Sequence, residues 1–320
     1  THFKRENPLP IDESWVQSLE VGPSPWPGRA PQTRASGYRS AIMPPHCEFA
    51  WRPPTFRVCS AVPPPPRDFV GSLLHCEPKI DTQLTLLAMQ CLFWMIVIPV
   101  VGGSVIKPWL SRKAWRENFI TRSQASLSKG FFIDLDRAAT LEFMCGLLVI
   151  LAQHGVGAAL CVPAVLLGCD PTWSHPLACH GALCEAGYEL SDVLTRAYQL
   201  AALPEKRSLS PPPLLVLLGV HHAMGLSMVV PMNLHYPSAP WYHEGAMLLQ
   251  GAAAVALLLQ CYGFTLDITR PSHLRQMQLS LAVGWVALFY SRGLRYAQVA
   301  LEAVFFFERE GAAGMRRGAL

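Results

Sequence analysis

GYELSDVLTRAY, residues 187–198, places Glu189, Asp192 and Arg196 inside an apolar run, with Glu185 just before it. Positions 185, 189, 192 and 196 follow i, i+4, i+7, i+11. At 3.6 residues per turn they share one face of a helix. Arg196 stands one turn from Asp192 and can pair with it, whereas Glu185 and Glu189 have no partner on their own helix. A carboxylate facing lipid at mid-bilayer costs at least ~2.5 kcal/mol. The stripe is therefore expected to face protein or a water-filled cavity, where the unpartnered carboxylates take a proton or bind something.

The chain around this stretch has the composition of a membrane protein. Of its 320 residues 51% are hydrophobic and 15% charged, against roughly 25% charged in a soluble domain. The polarity is uneven. Residues 1–80 are polar and hold fifteen of the 28 prolines, including PPPP at 63–66. With no apolar period, they read as a disordered Pro-rich leader. Residues 81–308 form the apolar body, and 309–320 a tail. There is no Walker loop, dinucleotide fingerprint or zinc-finger spacing. The modest net charge of +4 sits in short connections, so nucleic acid is not an expected partner.

A hydrocarbon core of roughly 30 Å needs about 20 apolar residues in a helix. Six stretches qualify: about 83–106, 139–161, 177–201, 213–234, 242–265 and 276–307. The connections between them alternate. The first carries Lys107, Arg112, Lys113, Arg116, Arg122, Lys129 and Arg137, the third Lys206 and Arg207, and the fifth Arg270 and Arg275. The second and fourth, 162–176 and 235–241, carry no Lys or Arg. By the positive-inside rule the basic loops are cytosolic and the N-terminus is on the other side. An even span count then puts Arg309, Arg316 and Arg317 outside, against the rule. The expected fold is an all-α polytopic bundle of about six spans. KPWLSRKAWRENFI, 107–120, reads either as an amphipathic helix on the anionic cytosolic leaflet or as an ordinary basic loop.

The fourth span, LLVLLGVHHAMGLSMVV (214–230), contains His221 and His222. Asp192 lies nine residues from the cytosolic end of its span, about 13 Å deep, and His221 eight residues into the next, about 12 Å deep. Sequential antiparallel helices thus carry both groups at one level, which predicts a shared polar cavity. Structural hydrogen bonds between helices are the plainer alternative. A neutral imidazole there can take a proton from a hydroxyl or amine, with a carboxylate orienting it, or accept an acyl group. Adjacent histidines diverge by about 100° on a helix. Since i, i+4 is the usual helical chelate, no metal is assigned.

At these residues the sequence resembles the TLC-domain family, which includes the ceramide synthases. The likeness rests on GYELSD (Gly187, Tyr188, Asp192), a short basic loop, HH (His221, His222) early in the next span, and the basic amphipathic stretch after the first. It extends over 83–307 as an arrangement, with a motif of about 40 residues. It implies a TLC-like bundle in the endoplasmic reticulum, working on membrane lipids with acyl-CoA as co-substrate and no resident cofactor. His221, His222 and Asp192 would be the catalytic groups, and Glu185, Tyr188, Glu189 and Arg196 would line the substrate cavity. Two departures stand out: the loop before the histidines reads LPEKRSLSPPP, and the next span has Gln250 and Gln260 where the family has an acidic motif. Some members resemble non-catalytic lipid sensors or regulators. A lipid-binding regulator, a proton-coupled transporter with Glu185, Glu189 and Asp192 as relay, and a structural subunit of a membrane complex are therefore the alternatives.

Other features carry less. Cys169, Cys179 and Cys184 flank the second loop with His175 and His180 between them. They read as free thiols first, as a Cys169–Cys179 disulfide second, and as zinc ligands last. GLSM (225–228) lacks the small residue after the serine that an oxyanion hole needs. GAAAVA (251–256) suits close helix packing. Arg292 and Arg295 fall deep in the sixth span, suited to snorkelling or to a lipid headgroup. His154 and Glu142, in the second span, are ambiguous.

Overall fold

Asp68 is the N-cap of the first described helix, its Oδ1 accepting from the Gly71 N–H at 2.6 Å. The structure, a computed structural model, describes residues 68–166, 173–203, 207 and 210–318. Among these the chain is helical throughout, with no strand. The elements are α1 (Phe69–Leu74), α2 (Ile80–Val101), a π-helical turn (Gly102–Ile106), α3 (Lys107–Ser111), α4 (Arg116–Phe131), α5 (Arg137–Leu166), α6 (Ser174–Ala202), α7 (Pro212–His235), α8 (Pro240–Thr265), α9 (Pro271–Leu288), a second π-helical segment (Phe289–Arg295) and α10 (Tyr296–Gly318). Helices α7, α8 and α9 each open on a proline in the first turn, where its missing N–H costs nothing and its φ is already helical.

Four helical stretches are long and apolar enough to cross a membrane: Ile80–Ser111, Arg137–Leu166, Pro212–His235 and Pro240–Thr265. They coincide with the first, second, fourth and fifth expected spans. The third and sixth form long helices but fall short on composition. In α6 the cause is the ionisable stripe together with serine, histidine and glycine. In α9 it is Arg275 with Gln276 and Gln278.

Helix α6 is the hub, packed against α2, α5, α7 and α8. Residues linking α5 to α6 (Gln153 with Glu185, Cys161 with Ala178) and α6 to α7 (Asp192 with His222, Cys179 with Asn233) run in opposite order along the partners. These neighbours are therefore antiparallel. Helices α2 and α6 are parallel: Leu74, just before α2, meets His180, and Gln90 meets Gly187. Alternating spans require this of the first and third.

Each end of the bundle is tied by polar groups. At the end where α2 begins, Gln83 Nε2 donates to the carbonyls of Cys76 (3.1 Å) and Glu77 (3.0 Å). Its Oε1 accepts from Asn233 of α7 (2.9 Å), and Tyr242 of α8 donates to Asn233 Oδ1 (2.9 Å). Residues 68–79, which the sequence reading gives to the leader, thus form α1 and a fixed corner with Cys76 buried. Residues 1–67 lie outside the described residues. At the other end Arg122 of α4 donates to the last carbonyls of α8, Gly263 (2.5 Å) and Leu266 (2.9 Å). The 107–120 stretch is α3 and the start of α4, joined by a turn at 112–115, and only part of it faces outward. Trp109, Trp115 and Phe119 stack edge to face, with Lys113 over Trp109. Phe119 and Ile120 are buried against Cys261 and Met144 under the bundle.

Candidate functional site

One face of α6 carries Glu185, Glu189, Asp192 and Arg196, and two neighbouring helices answer it. On the α5 side, His154 Nδ1 lies 2.8 Å from Glu185 Oε2, which also accepts from Gln153 Nε2 at 2.9 Å. On the α7 side, His222 Nε2 lies 3.0 Å from Asp192 Oδ2. The same Asp192 oxygen accepts from Arg196 Nε at 2.7 Å, and Arg196 donates on to Ser210 Oγ. Tyr188 stands between the two groups, edge-on to both His154 and His222, with ring centroids 5.8 and 6.2 Å away.

Glu189 is the exception in this ladder. It is 2% exposed. Its Oε1 lies 3.8 Å from both His221 Nε2 and His222 Nδ1, beyond hydrogen-bond length. Its Oε2 has no hydrogen-bond partner, and neither has His222 Nδ1. Gly225 makes room for the carboxylate, since a Cβ there would sit 2.0 Å from Glu189 Oε2.

The contact to Asp192 fixes one tautomer of the neutral ring. Asp192 is already the acceptor from Arg196, so His222 Nε2 carries the proton and Nδ1 presents its lone pair toward Glu189. A cavity of about 410 Å³ reaches this ladder between α2, α5 and α6. Trp94, Ile98 and Cys145 line its walls, Tyr188 and Asp192 its inner end. Lys107 and Glu142, paired at 2.9 Å, stand at its rim.

The seven sequence-named residues all belong to this ladder, Glu185 facing α5 and the others gathered where α6 meets α7. Six are buried or half-buried, while the His221 side chain is 54% exposed. Glu185, unpartnered in the sequence reading, finds its partners on α5. The glutamine–histidine dipeptide at 153–154 inside an apolar helix was the available signal. Ser210 and Gly225 offered none. The other candidates resolve separately. Arg295 forms a two-pronged pair with Glu244 of α8 (2.5 and 2.7 Å), and Arg292 donates to the Leu249 carbonyl. Ser227 donates to the Met224 carbonyl within its own helix. Cys179 and Cys184 are buried free thiols, while Cys169 lies outside the described residues.

The fold and the ladder define an all-helical, membrane-associated protein with a largely buried ionisable centre. Comparison with family models, curated proteins and solved structures returns no match. Any functional reading therefore rests on the chain's own chemistry.

Proposed function

We propose that this chain is an integral membrane protein of lipid metabolism, with six spans in a TLC-domain-like arrangement in the endoplasmic reticulum membrane. In this reading α6 and the α9–α10 run are the third and sixth spans. Its reaction is acyl transfer from a fatty acyl-CoA to the amine or hydroxyl of a membrane lipid. The observation that supports it best is the buried Asp192–His222 contact beside an apolar cavity.

The chemistry follows from the tautomer. Asp192 accepts from Nε2–H, so Nδ1 is free to take the acceptor's proton as its nitrogen or oxygen attacks the thioester carbonyl. The new amide or ester bond forms as the carbon–sulfur bond breaks. The proton held on the imidazole passes to the departing thiolate, giving free coenzyme A. Arg196 holds Asp192 in place by its hydrogen bond to Oδ2, while Tyr188 and the cavity walls hold the chains. Lys107, at the rim, suits the phosphates of the acyl donor.

The test is the purified full chain in lipid vesicles, supplied with long-chain acyl-CoA and amine- or hydroxyl-bearing lipids. The expected result is acylated lipid with stoichiometric free thiol. Asp192→Asn should slow turnover about 10²–10⁴-fold, the usual worth of positioned acid–base catalysis. No acylated product from any acceptor, with lipid still co-purifying, would overturn the transfer and leave a lipid-binding protein.

A further inference from the structure

Glu189, His221 and His222 hold three potential ligand atoms within 4.8 Å of one another. The sequence alone argues against a metal, because adjacent imidazoles diverge on a helix. The structure removes that objection in two ways. The two rings present different nitrogens, Nε2 from His221 and Nδ1 from His222. Because Nδ1 lies closer to the backbone than Nε2, the pair can converge despite the divergence of their stems. The third ligand comes from α6, which no spacing within α7 could show.

We propose that this cluster binds a divalent first-row transition-metal ion, with Zn²⁺ as the simplest case. Two imidazoles and one carboxylate, with a position left open, are a donor set that zinc adopts at reactive sites. Magnesium and calcium prefer all-oxygen shells. Tetrahedral bonds of ~2.0–2.1 Å put ligand atoms about 3.3 Å apart. The two carboxylate–imidazole distances of 3.8 Å close with about half an ångström of side-chain movement, and the two imidazole nitrogens, within 4.8 Å of each other, with at most about 1.5 Å.

Three further observations point to a ligand here. Glu189 Oε2 and His222 Nδ1 are buried and have no partner, a costly state for polar atoms. Gly225 leaves the space in which the carboxylate sits. The far nitrogen of His222 donates to a carboxylate, which Arg196 itself holds. This outer carboxylate–histidine link is the usual support of a metal-binding imidazole, setting its tautomer and raising its basicity.

The inference stands without the acyl-transfer reading. If both hold, a water on the ion takes over the proton-accepting role from the bare ring, and turnover becomes sensitive to chelator.

The experiment is metal analysis of the purified full chain, followed by Zn²⁺ titration and Co²⁺ spectroscopy after chelation. One equivalent of Zn²⁺ is expected, with the intense visible bands of tetrahedral Co²⁺. Asp192→Asn should weaken binding about 10–100-fold. His221→Ala and Glu189→Gln should each weaken it further and abolish those bands, while His235→Ala should do neither. The exposed His221 makes its variant the decisive one should Glu189→Gln misfold. No stoichiometric uptake, or uptake indifferent to His221→Ala, overturns the proposal. Chelator-resistant turnover that dies with His222→Ala would overturn it too, and would leave the acyl-transfer reading standing.

Discussion

At the scale of single residues, two glycines make opposite predictions. A Cβ on Gly187 would lie 2.3 Å from Gln90 Cβ and 2.9 Å from the Gln90 carbonyl carbon, so α2 and α6 would have to part. Gly187→Ala should therefore destabilise the bundle by about 1–3 kcal/mol, the usual cost of overpacking, visible as a lower melting temperature in detergent. The atoms nearest a Cβ on Gly225 are the tip of the Glu189 side chain, which can swing away. Gly225→Ala should melt close to the parent protein and yet lose the carboxylate from the cluster, read as lost Zn²⁺ uptake. Equal melting losses in the two variants would contradict this division. The stripe on α6 and the histidines on α7 were legible because unpaired charge is expensive in lipid, so few positions can carry it. Gly225 was not legible, because its role exists only once a second helix brings Glu189 against it.

At the scale of elements, periodicity and length placed the helices well. The observed α7 and α8 start and stop within two residues of the expected fourth and fifth spans. Three things lay beyond that reach. The α1 corner depends on Gln83 finding Cys76 and Glu77, which composition does not show. Leu110, Phe119 and Ile120 of the 107–120 stretch are core, with Arg122 anchoring α4 across the end of α8. Arg122→Ala should leave the Leu266 carbonyl unpaired and Gly263 with only the Leu266 N–H, at about 1–3 kcal/mol for a buried group left unsatisfied. It should speed amide exchange in α4 before the rest of the bundle; unchanged exchange there would contradict the anchoring role. Arg295, assigned by sequence to snorkelling or a headgroup, pairs with Glu244 instead. Glu244→Gln should cost about 1.5–3 kcal/mol, because it removes the carboxylate from a largely buried guanidinium that keeps Gln298 as an acceptor. A melting curve matching the parent protein would show that water reaches the pair.

At the scale of the whole molecule, the alternation of basic and non-basic loops and the parallel pairing of α2 with α6 agree on one topology. The helical run Pro271–Gly318 is about 70 Å long at 1.5 Å per residue. That exceeds any bilayer, so its end can stand well clear of the membrane and its late arginines carry little topological weight. Reporter tags in the 107–137 connection and in the 236–239 turn should lie on opposite faces of the membrane. Tags found on one face would contradict the six-span reading.

The site depends on α6 turning Asp192 onto α7 at His222, away from lipid. Paired cysteines at those positions, Asp192→Cys with His222→Cys in the full chain in native membranes, test this most directly under mild oxidation. The expected result is a cross-link between positions 192 and 222, mapped by mass spectrometry. None is expected when Asp192→Cys is paired with Val220→Cys, whose side chain points outward. Cross-linking to position 220 in preference to 222 would mean that the charged face of α6 looks elsewhere, and the shared site would not exist.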